Sequence, residues 1–244
     1  MKQIRFILLL TILLNSAALF ADYGNQNVTN APDYDTYMGV NYKLYWIKPV
    51  QQWQQLFVEP QPGFNVFLGW RFLPYMATEF GYEWTANKPS SVVIPNTASL
   101  LGITNTSGTP ITITSKVRFK SGFIDFLGFL PFCLGGVINP EIVFSAGVSG
   151  MKPCIKMYAS PLNSATANFT NQFTTIEGRS KAVFRFGLGL QMLLVENFGA
   201  RVMWRVEDTS VLRARNSVVT ENIATRKLFH DAQSVTAGFF LNFY

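Results

Sequence analysis

The sequence predicts an all-β fold, an eight-stranded antiparallel up-and-down transmembrane β-barrel with short periplasmic turns and long extracellular loops. Three observations predict it. Eight segments alternate large apolar residues with polar or small ones at a period of two, so that each has one apolar and one polar face. Charged residues make up 14% of the 244-residue chain while aromatics make up 15%, 22 of them Phe. A soluble domain carries about a quarter charged residues, so this chain is short of material for a water-facing surface. The connections between the segments alternate short and long, as they do when turns on one side of a membrane are tight and loops on the other are free to grow.

The first 21 residues, MKQIRFILLLTILLNSAALFA, place Lys2 and Arg5 before an apolar run from Phe6 to Leu14 and then small residues. That order is a secretory signal peptide, and its apolar part is too short to span a bilayer comfortably. Cleavage is expected after Ala21, with a site after Ala18 also fitting, and the barrel domain is expected to occupy residues 22–244. The leader contributes two of the 20 basic residues and none of the 14 acidic ones, leaving a mild net charge of +4. This suits contact with anionic surfaces such as lipopolysaccharide or phosphate, and no Lys/Arg run argues for nucleic acid. Past the leader no apolar run is long enough for a transmembrane helix. A membrane position therefore requires a closed barrel, because lipid offers no partner to unpaired backbone groups.

Taken in order, the strands are these. In YMGVNYKLYW (37–46) Met38, Val40, Tyr42, Leu44 and Trp46 share the apolar face. In FNVFLGWRF (64–72) Phe64, Val66, Leu68, Trp70 and Phe72 oppose Asn65, Gly69 and Arg71, and after a Leu73–Tyr75 turn MATEFGYEW (76–84) sets Phe80, Tyr82 and Trp84 against Glu79, Gly81 and Glu83. TITSKVRFKSGF (112–123) pairs an apolar face of Ile113, Val117, Phe119 and Phe123 with a polar face of Lys116, Arg118, Lys120 and Gly122. EIVFSAGVSG (141–150), KAVFRFGLGLQM (181–192), FGARVMWRVE (198–207) and SVTAGFFLNFY (234–244) complete the set. Between them lie short connections after the second, fourth and sixth strands and long ones after the first, third, fifth and seventh, rich in Thr, Ser, Asn and Gly. The sequons NVT, NTS and NFT fall in such loops and are read as loop residues. QQWQQLF (51–57) fits either a turn lying on the outer leaflet or one folded against the rim.

A soluble barrel of the lipocalin sort alternates in the same way with its faces exchanged. The charge deficit weighs against it, as do glycines on the polar face, which suit the crowded interior of a narrow barrel. So do aromatics at the ends of apolar faces, where Trp46, Trp84, Trp204 and Phe243 would form interfacial girdles. Cys133 and Cys154 are expected at opposite ends of one strand, out of disulfide reach.

With these features the chain resembles the small eight-stranded outer-membrane proteins of Gram-negative bacteria, the OmpA transmembrane-domain and OmpX/Ail-like group. The likeness covers about Tyr37 to Tyr244 as pattern. Its best local match is the ending VTAGFFLNFY, in which Phe243 continues the apolar series and Tyr244 follows one beyond it. The resemblance implies outer-membrane localisation, recognition of the terminal Phe243 and Tyr244 by the barrel-assembly machinery, and adhesion through the loops. A monomer embedded among membrane lipids and lipopolysaccharide is expected, with host-surface ligands as further partners and no nucleic acid.

The polar face collects Lys43, Arg71, Glu79, Glu83, Lys116, Arg118, Lys120, Glu141, Arg185, Arg201, Arg205 and Glu207. Facing into a barrel of eight strands, which encloses only enough room for side chains, they predict a charged plug, and paired opposite charges would offset desolvation. With eight basic groups against four acidic ones, the alternative is a small anion-preferring pore. His230 is the one histidine, followed by Asp231 and Ser234 near the outer rim. Lipid A deacylases and palmitoyltransferases are eight-stranded barrels that use a histidine and a serine at that level, and the four-residue spacing here resembles theirs only loosely. A rim histidine without a catalytic role is the commoner case, and a non-enzymatic chain is expected. No Cys/His metal spacing and no phosphate-cradling glycine loop points to a metal or cofactor.

Overall fold

A computed structural model describes residues 36–100, 103–104, 108–131, 140–160, 173–177, 180–195, 197–213 and 227–243. The leader, Cys133 and Tyr244 lie outside these residues. In chain order the strands are β1 (Thr36–Pro49), β2 (Gln61–Leu73), β3 (Met76–Thr85), β4 (Lys88–Ile94), β5 (Ser99–Leu100), β6 (Ile103–Thr104) and β7 (Ile111–Pro131). They continue with β8 (Pro140–Ser160), β9 (Phe173–Glu177), β10 (Lys181–Val195), β11 (Phe198–Glu207) and β12 (Phe229–Phe243). Eight of them, β1, β2, β3, β7, β8, β10, β11 and β12, pair antiparallel with their sequential neighbours, and β12 pairs back onto β1 from Thr36↔Phe243 to Pro49↔Phe229. The sheet is thereby closed into an eight-stranded barrel without an open edge.

Alternation decides which side chains line it. Met38, Val40, Phe64, Leu68, Trp70, Phe80, Ile124, Phe126, Phe144, Phe184, Leu188, Val202, Phe239 and Leu241 are exposed on the outer wall, whereas Lys43, Glu79, Glu83, Asp125, Arg185, Arg201 and Arg205 are buried inside. The barrel is inverted relative to a soluble one: its most hydrophobic surface is outside and its charges are inside.

Seven of the eight strands keep the phase that their apolar faces predict. The exception is β7. Ile113, Val117, Phe119 and Phe123 point inward and are buried, so Lys116, Arg118 and Lys120, expected in the lumen, stand on the outer face. The strand also runs on to Pro131, through residues expected to form a turn, and β8 matches it for 21 residues each. Among the described residues, no large apolar side chain of 111–120 or 151–160 is exposed, whereas Ile124, Phe126, Phe144 and Val148 are, so these strand ends project beyond the apolar band, and β4 and β9 add to their flanks. In that projection the usual soluble rule returns, apolar in and charged out, which is why the phase reading fails there.

The projecting strands enclose a hydrophobic cluster of Tyr45, Ile47, Phe57, Ile111, Ile113, Val117, Phe119, Met151, Ile155, Leu212, Leu228 and Phe229, among others. QQWQQLF forms a 3₁₀ turn over Gln51–Leu56 and delivers Phe57 edge-on to Phe229, with ring centres 5.1 Å apart, so this loop end folds against the rim.

Within the ring, glycines sit where neighbouring rings lie across them. A Cβ on Gly81 would collide with the ring of Phe123 and with the Val66 carbonyl, its cross-strand surroundings. Gly81→Val is expected to destabilise the barrel by about 1–3 kcal/mol through overpacking, read from urea unfolding in lipid vesicles.

Candidate functional site: the barrel lumen

The inward faces build a stack of ion pairs. Nearest the Pro74–Tyr75 turn, Arg71 Nη2 lies 2.8 Å from Glu141 Oε1 and Arg71 Nε donates to the Pro74 carbonyl at 2.9 Å. Gln191 Nε2 donates to Glu141 Oε2 at 2.7 Å, and the Arg71 guanidinium covers the Phe129 ring at 4.3 Å. One layer further in, Arg201 grips Glu79 with both terminal nitrogens, and Tyr37 donates its hydroxyl to Glu79 Oε1 at 2.9 Å. Arg201 stacks on Phe67 at 4.3 Å. This two-pronged match of guanidinium and carboxylate is the strongest ion-pair geometry available to side chains.

Asp125 occupies the middle. Arg185 Nε approaches its Oδ1 to 3.1 Å and Arg205 Nε its Oδ2 to 3.7 Å, while Arg185 Nη1 reaches Glu83 Oε2 at 3.4 Å. Arg205 Nη1 donates to Thr236 Oγ1 at 3.0 Å. Above it, Lys43 Nζ bridges Glu83 Oε2 at 3.0 Å and Glu207 Oε1 at 3.4 Å, and Tyr45 donates to Glu207 Oε2 at 2.9 Å. Beside Lys43 and Glu83 lies a small cavity of about 10 Å³ bounded also by Phe119, Ser121 and Met151. That is room for about one water molecule.

Of the predicted lumen residues, Lys43, Arg71, Glu79, Glu83, Glu141, Arg185, Arg201, Arg205 and Glu207 meet inside, and Lys116, Arg118 and Lys120 do not. Asp125 joins them although the sequence reading passed over it. The signal for it is its own charge, which on the face shared with Phe123 contradicts an outward, lipid-facing phase for that strand. The ion-paired interior is thus balanced among the described residues: Lys43, Arg71, Arg185, Arg201 and Arg205 face Glu79, Glu83, Asp125, Glu141 and Glu207. The predicted excess of basic over acidic groups disappears, and with it the basis for anion preference.

An apolar cluster of Phe67, Phe123, Leu127, Phe129, Val143, Met203 and Phe240 interleaves with the lower layers, and the cluster under the loops closes the opposite end. Elsewhere, His230 is exposed on the outside, 3.4 Å from Lys227 Nζ, whereas Ser234 is fully buried inside. Asp231 pairs with Lys48 at 3.8 Å. An irregularity in the β1–β12 register between Ile47 and Pro49 separates the faces of His230 and Ser234, so this wall does not assemble a histidine–serine–acid constellation. Trp84, Trp204 and Phe243 are exposed on the outer wall and Trp46 is half-buried there. Cys154 is a free thiol on β8.

No protein-family model and no curated protein matches the sequence. Among solved structures, the chain is similar to Ail, the attachment invasion locus protein of Yersinia pestis, with 12% identity and a TM-score of 0.44 over 86% of this chain and 99% of that one. It is likewise similar to Neisserial surface protein A, with 9% identity and a TM-score of 0.49 over 85% and 97%. The outer membrane protein OprG from Pseudomonas aeruginosa stands at 9% identity and a TM-score of 0.47 over 86% and 96%. The chain is an eight-stranded antiparallel β-barrel, and the closed ring of pairings from β1 round to β12 defines it as such.

Proposed function

We propose that this chain is a non-enzymatic integral protein of the bacterial outer membrane, exported by a leader removed after Ala21 and inserted as a monomer by the barrel-assembly machinery. It strengthens the envelope and presents four extracellular loop regions to lipopolysaccharide and host surfaces. One observation carries this reading. An outer wall of exposed Phe, Leu, Val and Trp surrounds an interior in which five basic groups face five acidic ones and apolar clusters pack towards both ends. Such a wall suits acyl chains, and such an interior suits a rigid pillar whose working surface is its projecting loops.

Planar-bilayer recording of the purified chain tests the filled lumen. No steady conductance is expected, and a persistent open channel would restore the pore reading. Mass spectrometry of lipid A from cells with and without the protein tests the non-enzymatic reading. Identical profiles are expected, for wild type and for His230→Ala alike.

A further inference from the structure

The outer face of the projecting β7–β8 ladder has a feature that the pillar reading does not use. Lys120 lies directly opposite Lys152, and Lys116 directly opposite Lys156, with Arg118 between them opposite Cys154. Like charges directly across a ladder destabilise it, yet this ladder carries two such pairs. Lys152 and Lys156 make further contacts of their own, and β9 places Glu177 opposite Cys154, so along these rows five basic residues stand against one acidic residue. From Lys120 to Lys116 the ladder rises about 13 Å along the strand.

Its lower end coincides with the top of the apolar wall, for Lys120 is also the cross-strand partner of exposed Trp84. One row below, Gly122 faces Gly150, flanked by Tyr82 on β3 and Ala182 on β10. These two glycines differ from those of the lumen. A Cβ added to either would meet nothing nearer than 3.9 Å, so the packing of the chain itself does not demand them. Glycine weakens a strand, and its presence marks places where another molecule approaches the backbone closely. Below the notch the wall resumes with Ile124 and Val148.

We propose that this face seats a phosphorylated lipid of the outer leaflet, its phosphate held by the Lys116, Arg118, Lys120, Lys152 and Lys156 ladder and an acyl chain lying in the Gly122–Gly150 notch. The inference rests on the membrane position proposed above. Continuity favours a lipid over a soluble polyanion: the cations begin in the row where the apolar wall ends, at the level where a headgroup meets its chains. Phosphate beside the ladder would offset the repulsion between the opposed lysines.

The test uses the mature chain in phosphatidylcholine bilayers, alone, with bisphosphorylated lipid A, or with dephosphorylated lipid A, following thermal unfolding by tryptophan fluorescence. Bisphosphorylated lipid A is expected to raise the midpoint by about 5–10 °C, the size of a ligand present at many times its Kd. Dephosphorylated lipid A and millimolar inorganic phosphate are expected to leave it unchanged. The triple variant Lys116→Ala, Arg118→Ala, Lys120→Ala should lose the rise while its midpoint in phosphatidylcholine is no lower than that of wild type, the repulsion across the ladder being relieved, and Gly122→Leu should reduce the rise. No rise in wild type, an equal rise with dephosphorylated lipid or with inorganic phosphate, or a rise retained by the triple variant would each overturn the proposal. If the triple variant fails to fold, the lipid comparison on wild type still decides. Failure of the wild-type chain to fold in phosphatidylcholine would instead strike at the membrane position itself.

Discussion

Replacing Glu79 by Ala is expected to lower the unfolding free energy by about 3–5 kcal/mol. Glu79 is fully buried, accepts both prongs of Arg201 and takes the Tyr37 hydroxyl. Its removal strands a guanidinium that is itself buried and cannot shed its charge, since arginine stays protonated at any ordinary pH. The double variant Glu79→Ala, Arg201→Met should recover much of that loss, because it removes the uncompensated charge and leaves an apolar chain over Phe67. Urea titration in lipid vesicles measures both, and the coupling between the two sites is the diagnostic quantity. A Glu79→Ala chain as stable as wild type would mean that the lumen is wet and the stack of pairs is screened.

The second large effect lies on the other side of the wall. Leu68 is 52% exposed at the centre of the outward series of β2, opposite Met38 and Phe80. In water, an exposed leucine exchanged for arginine changes stability by no more than about 0.5 kcal/mol. Against acyl chains at mid-depth the same exchange costs about 2–4 kcal/mol. Leu68→Arg is therefore expected to lower stability by that amount in vesicles. A neutral result would return the barrel to the soluble class despite its exposed phenylalanines.

How much of this could be read from the residues depends on where the period-two rule keeps its meaning. Within the apolar band the rule works because one face is the apolar outer wall and the other meets the axis, so Arg71, Glu79, Arg185 and Arg201 are legible as lumen residues from parity alone. On β7 it breaks down for two physical reasons. Residues 111–120 stand above the band, where water reverses the rule and sends Lys116, Arg118 and Lys120 outward. Lower down, SGFIDFLGFLP is apolar on both faces, since Phe123, Leu127 and Phe129 fill the interior while Ile124 and Phe126 coat the wall. Little alternation survives there to be counted, and Asp125 is the one charged residue that still marks the inward side. The pairing of Arg201 with Glu79, from strands 122 residues apart in sequence, follows from barrel closure and shear, which no local pattern encodes.

The cluster beneath the loops draws side chains from every one of the four long connections or the strand ends that feed them: Phe57, Ile94 and Ile111, Met157, and Leu212 with Leu228. Among the described residues, the end of the barrel beneath the long connections is accordingly one jointly assembled unit. An antibody directed at that part of the folded protein would read residues from several segments at once, and short synthetic peptides copied from single segments would make poor immunogens for it.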